Sequence, residues 1–195
     1  RGDSIAGNEA FSEDLLWRLR NIDYDYNLNL EPATGLDSRG LAIMDIGSLP
    51  DALYLEDLAV GQEFVSDPHP LDAGQIIAYA RQFDPQPFHL DEDAARDTFF
   101  QGLAASGWHT MSITMKLMVR SVPFAKGIIG GGGTVAWPRP TRPGDILRVR
   151  STIREIRPSK SRPDRGIVQL HGLTLNQKDE VLQELTANLL AFRRA

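Results

Sequence analysis

The sequence predicts an α+β domain in which one long apolar helix lies against a curved antiparallel sheet. Three observations carry this. Residues Trp108 to Val122 hold apolar side chains at helical spacing with few charges. Three later segments, beginning near Ile146, Ile167 and Val181, have strand character, and the first alternates apolar with polar residues. The chain has 195 residues, 42% of them hydrophobic, which suits one good-sized core and argues against wholesale disorder.

Residues 1–50 read as an N-terminal arm or extension, and residues 51–195 as the domain. Ser12-Glu13-Asp14 before Leu15-Leu16-Trp17 has the form of a short helix start, but Pro32, Gly35, Gly40, Gly47 and Pro50 then break any periodicity. From Leu58 a turn leads into a strand running toward Pro70. Asp72 is an N-cap for a helix over 73–83, with Ile76, Ile77, Ala80 and Phe83 as its apolar stripe. Pro85 and Pro87 end that helix and push Asp84 and Gln86 into extended or turn geometry. Asp91 caps a second helix, Glu92 to Thr98.

The small residues Gly102 to Gly107 lead into the long segment. Trp108, Met111, Met115, Met118 and Val122 share one helical face, while Ile113, Leu117 and Val119 lie off it. A helix apolar nearly all round is expected to be buried. Gly130 to Gly133 reads as a glycine turn or bulge before the strand Thr134–Trp137. It lacks the following helix and Lys-Ser or Lys-Thr of a phosphate loop. Pro143-Gly144-Asp145 is a turn. Ile146 to Ile156 then sets Leu147, Val149, Ser151 and Ile153 on one face and a basic row, including Arg148, Arg150 and Arg154, on the other. Strands over Ile167–Asn176 and Val181–Arg193 meet at a Gln177–Glu180 hairpin.

The composition narrows the function. The net charge is −5, which argues against nucleic acid as a partner. There is no cysteine, so disulfides, thiolate metal sites and Cys nucleophiles are excluded. The four histidines do not pair at metal-ligand spacing, and no metal site is expected. The polar start has no apolar run behind it and no stretch nears the roughly 18 apolar residues of a membrane span, so the expected location is cytoplasmic. Residues 139–167 hold nine Lys/Arg against three Asp/Glu, and such a block suits either a solvated face or a phosphate-bearing ligand.

One segment points to chemistry. In Phe83-Asp84-Pro85-Gln86-Pro87-Phe88-His89, the prolines stiffen a bend that can bring Asp84 and His89 to one point. A carboxylate beside an imidazole can activate water near neutral pH.

Asp84-x-x-Pro87-x-His89 after a helix, Ser106-Gly107 opening a long apolar helix, and Pro143-Gly144-Asp145 opening a strand resemble the MaoC-like family of hot-dog-fold enoyl-CoA hydratases and dehydratases. The resemblance covers Tyr54 to Ala195. The family motif is Asp-x-Asn-Pro-x-His, and Gln86 stands here at the Asn position. Where the family has His-Gly, this chain has Ser106-Gly107. The resemblance implies a hot-dog fold and a hydro-lyase of fatty acid metabolism, acting on the C2=C3 bond of an acyl-CoA or acyl-carrier-protein thioester. It implies Asp84 and His89 as catalytic residues, with Gln86, Gly107, Trp108 and Met111 binding substrate and Met115 beside them. It also implies no cofactor, CoA phosphates on the basic block, and a homodimer or dimer-based oligomer. The alternatives are a hot-dog thioesterase, which the absence of Asp or Glu from the central helix opposes, and a non-catalytic acyl-CoA-binding protein.

Overall fold

A computed structural model describes residues 52–195. The expected arm at 1–50 and its helix start at Ser12 lie outside the described residues. Four α-helices and six strands follow in chain order: β1 (Glu63–Val65), β2 (His69–Pro70), α1 (Ala73–Phe83), α2 (Pro87–Leu90), α3 (Glu92–Arg96), the central helix α4 (Gly107–Ser121), β3 (Ile129–Ala136), β4 (Ile146–Pro158), β5 (Arg165–Leu175) and β6 (Val181–Phe192). A single turn of 3-10 helix, Leu55–Asp57, precedes them.

The strands form one antiparallel sheet in the order β1-β4-β5-β6-β3, with β2 also paired to β4. The alternation expected for β4 holds except at Thr152, which is buried: Leu147, Val149, Ser151 and Ile153 are buried and Ile146, Arg150 and Arg154 exposed. A register shift between Ile153 and Glu155 inserts one extra residue, so Ile156 rather than Glu155 turns back toward the core. The glycine run also makes a bulge, between Gly130 and Gly133, but inside β3 rather than before it. Gly133 is fixed by contact: a Cβ there would lie 2.1 Å from the Thr186 carbonyl oxygen of β6.

Central-helix residues Ile113, Leu117 and Met118 pack on Val149, Ile153, Val168, Leu170 and Leu189 of the sheet. This is the one-helix-on-one-sheet core expected from the sequence. The helix is not buried all round, however. The sheet covers one side only, and that side includes hydroxyls: Thr110 donates to Thr141 Oγ1 at 3.0 Å, Thr114 pairs with Thr174 at 2.7 Å, and Gln183 donates to Thr114 at 3.0 Å. Each of these three threonine and glutamine contacts pairs a buried polar group with another. The stripe begun by Trp108 starts in the open (61% exposed) and passes under the sheet only at Met118 and Val122. Val119 is 49% exposed. Among the described residues, no helix is long and apolar enough to cross a membrane.

Candidate active site

Local sequence rules set the first catalytic candidate. The Asp72 carboxylate accepts the Gln75 N–H at 2.8 Å and starts α1. Asp84 closes it, its N–H reaching Ala80 O at 3.0 Å, and adopts φ −153° and ψ 69° because Pro85 follows. Gln86 is extended, with φ −86° and ψ 143°. Both agree with the sequence reading. His89 differs. It sits in the one-turn helix α2, opened by Pro87 at the first position, where a missing N–H costs nothing. The prolines therefore end one helix and begin another.

His89 is 4% exposed. Its Nδ1 lies 2.7 Å from Ala104 O. A carbonyl only accepts, so Nδ1 carries the proton and donates, and Nε2 presents its lone pair on the other side. That lone pair lies 3.5 Å from Asp84 Oδ2. Phe88 stands edge-on to the imidazole at 4.6 Å and Phe100 tilts against it at 5.8 Å, leaving the ring little freedom. Gln86 Nε2 donates to Asp84 Oδ1 at 2.7 Å, so the longer amide reaches the Asp84 carboxylate itself. Burial works to raise the Asp84 carboxyl, but Ser106, Gln86 and the nearby His89 together outweigh it and hold the group below the ordinary carboxylate value.

Ser106 caps the central helix, its Oγ accepting the Trp108 N–H at 3.2 Å. Gly107 is the first helical residue, where backbone N–H groups have no partner within the helix. The resemblance implies substrate binding at Gly107, and on the side where a Cβ would stand the space is filled by protein. A Cβ would sit 2.9 Å from the Trp137 ring, which is held by its Nε1–H donating to Gln183 Oε1 at 2.8 Å.

Trp108 and Met111 line one groove of about 490 Å³ with Tyr79, Phe83, Ser112 and Met115. Phe83 immediately precedes Asp84 and Trp108 immediately follows Gly107 in the chain, but neither Asp84 nor His89 lines this groove. Several members of the basic block are paired with carboxylates. Arg148 pairs with Asp179, Arg157 with Glu155 at 3.5 Å, and Arg165 with Asp164 at 2.6 Å. Arg142 turns inward to backbone carbonyls. Among the described residues, no three His, Cys, Asp or Glu side chains come together as a metal site.

The sequence reading missed Ala104, whose carbonyl orients His89, and gave Ser106 and Tyr79 no role in the site. Ser106 has a legible signal, a helix-capping hydroxyl beside a glycine. A backbone carbonyl acting fifteen residues from its partner leaves none.

Comparison with known proteins agrees with this fold. The profile of the MaoC like domain family matches residues 57–171. The crystal structure of a MaoC-like dehydratase from Rhodospirillum rubrum is 58% identical, with a TM-score of 0.73, covering 74% of this chain and 99% of that one. The uncharacterised protein YdeM of Bacillus subtilis is 29% identical over 143 residues, 72% of this chain and all of YdeM. The R-hydratase PhaJ1 from Pseudomonas aeruginosa, 24% identical with a TM-score of 0.62 over 73% of this chain and 88% of its own, shares the fold.

Proposed function

The chain belongs to the MaoC-like domain family, and on that premise we propose that it is a hydro-lyase acting on enoyl thioesters. It adds water across the C2=C3 bond of a trans-2-enoyl-CoA or enoyl-acyl-carrier-protein to give an (R)-3-hydroxyacyl thioester, or removes that water in reverse. The observation that carries the reading is the 3.5 Å approach of the His89 Nε2 lone pair to Asp84 Oδ2. Two acceptors at that spacing hold one water by its two hydrogens.

As the water oxygen bonds to C3, one member of the pair takes a water proton. The C2=C3 electrons move toward the thioester carbonyl, which becomes an enolate oxygen. A proton then returns from the pair to C2, the enolate collapses, and the pair is restored. Both new bonds form on the face that meets Asp84 and His89, so the addition is syn. The enolate charge falls to the Gly107 N–H, an unsatisfied donor at a helix N-terminus whose dipole favours negative charge. The groove past Trp108 and Met111 takes the acyl chain, and Met115 gives its wall an adaptable surface. The reaction as written moves no electrons to or from a cofactor.

A second copy of the chain is proposed to cover the exposed face of the central helix and the outer edge of β3.

The test is loss of the conjugated-thioester absorbance with crotonyl-CoA and longer or branched enoyl-CoAs. Asp84→Asn and His89→Ala should each lower kcat by at least about a hundredfold while the fold persists. Release of free CoA in place of hydration identifies a thioesterase, and binding without turnover across the panel identifies a non-catalytic carrier.

A further inference from the structure

The segment before the central helix, Gly102 to Ala105, is tied at nearly every backbone polar atom. Gly102 N–H donates to Ala95 O at 3.1 Å, Ala104 N–H to Phe88 O at 3.2 Å, and Ala105 N–H to Thr141 O at 2.9 Å. Leu103 N–H donates to the Glu92 carboxylate at 3.0 Å. On the carbonyl side, the Arg142 guanidinium donates through one nitrogen to Gly102 O at 2.7 Å and Leu103 O at 3.1 Å, and through the other to Phe100 O. The next carbonyl along, Ala104 O, is the one that accepts from His89 Nδ1.

Arg142 is itself held from behind. Its N–H donates to Asp145 Oδ2 at 2.7 Å, and the Asp145 N–H donates back to Arg142 O at 3.1 Å. Asp145 is buried. The Pro143-Gly144-Asp145 turn therefore aims a guanidinium across about forty residues of sequence at the loop behind the catalytic imidazole.

We propose that Arg142, opposed by Glu92, is a positioning residue: by gathering the Phe100, Gly102 and Leu103 carbonyls it fixes the Ala104 carbonyl, and through it the tautomer and tilt of His89. A planar guanidinium offers several donors in a fixed fork and spans three carbonyls, whereas a lysine ammonium is a single point on a flexible stem. A bond from Nδ1 to a backbone carbonyl is the kind of contact that sets which ring nitrogen is free. The kinetic part of this inference rests on the proposed hydration; the geometric part does not.

The experiment compares wild type, Arg142→Lys and Glu92→Ala by steady-state kinetics with crotonyl-CoA and by the imidazole ¹⁵N resonances of His89. Arg142→Lys should lower kcat about ten- to a hundredfold with KM within about twofold, the scale of a misplacement near 1 Å. It should also shift the His89 ¹⁵N pattern away from a pure Nδ1–H form. Glu92→Ala should do both more weakly. A folded Arg142→Lys protein with wild-type kcat and ¹⁵N pattern overturns the proposal, as does a kcat loss with the pattern unchanged. If Arg142→Lys does not fold, Glu92→Ala decides by the same two readouts. If wild type hydrates no enoyl thioester, the proposed function fails, while the His89 resonances still decide the positioning role.

Discussion

Asp84 is a half-buried carboxylate whose surroundings are arranged to keep it charged. Burial alone would favour the protonated acid, but Ser106, Gln86 and His89 outweigh it. Gln86 supplies a direct donor at 2.7 Å. The sign of the pH dependence follows. A carboxyl held below the ordinary carboxylate value stays ionised to lower pH than a free one, so a reaction needing its charge keeps its rate further into the acid range. Gln86→Leu removes a donor that favours the charged form, so the Asp84 value rises and the acid limb of kcat/KM moves toward neutral pH. The pH profile of the two proteins checks this, and an unmoved limb would show that the amide does not reach Asp84 in solution. That Asp84 and His89 can meet was legible in the sequence from the prolines at 85 and 87, and that they act as a pair was implied by the family resemblance. The aim of Gln86 was not, because side-chain reach depends on ψ angles that composition does not fix.

At the scale of elements, helices α1 and α4 are joined by a stack. Tyr79 lies parallel to His109 with centroids 4.4 Å apart and tilts against Phe83 at 5.0 Å. His109 is buried in the first turn of the central helix, and its Nδ1 has no hydrogen-bond partner. Burial, helped by the charge of nearby His69, lowers its pKa from 6.5 to about 4. With the folded value below the unfolded one, the unfolded chain takes up the proton first as pH falls. Stability is then full above about pH 6.5 and declines toward pH 4, with a slope of at most about 1.4 kcal/mol per pH unit. His109→Phe keeps an aromatic ring for Tyr79 but cannot titrate. Its urea midpoint should fall less than that of wild type between pH 7 and pH 4.5, and parallel declines would remove His109 as the cause. The elements were legible where one period dominates: α1 from its Asp72 cap, and β4 from its alternation. The face that α4 buries was not legible. Thr110 and Thr114 look polar in the sequence yet are buried by pairing with Thr141, Thr174 and Gln183, while Trp108 and Val119 look apolar yet are exposed. Long-range partners decide both cases, as they do for Arg142.

The whole molecule leaves two features that one chain does not resolve. Strand β3 is an edge of the sheet, eight residues long, and Ile129–Ala136 carries no charge and no proline. Protected edges are usually short, charged or interrupted, and β1 at the opposite edge has only three residues. Near this side of the central helix, Phe83 is 68% exposed, and Trp108 packs edge-on to Trp137 at 5.7 Å, just past the end of β3. Pairing β3 with the same strand of a second copy would satisfy its outer backbone groups. It would also cover part of that apolar surface in a two-fold arrangement where each copy offers the same patch. Sedimentation should therefore give a mass of two chains of 21.6 kDa each at micromolar concentration. Thr134 is exposed in the middle of this edge. Thr134→Lys places a charge on each copy where the two edges meet, so the mass should fall to one chain with little change in the melting temperature of the fold. A wild-type protein that sediments as a single chain would show that neither this edge nor its neighbouring apolar face joins two copies, and a Thr134→Lys protein that remains paired would remove the β3 edge as the joint.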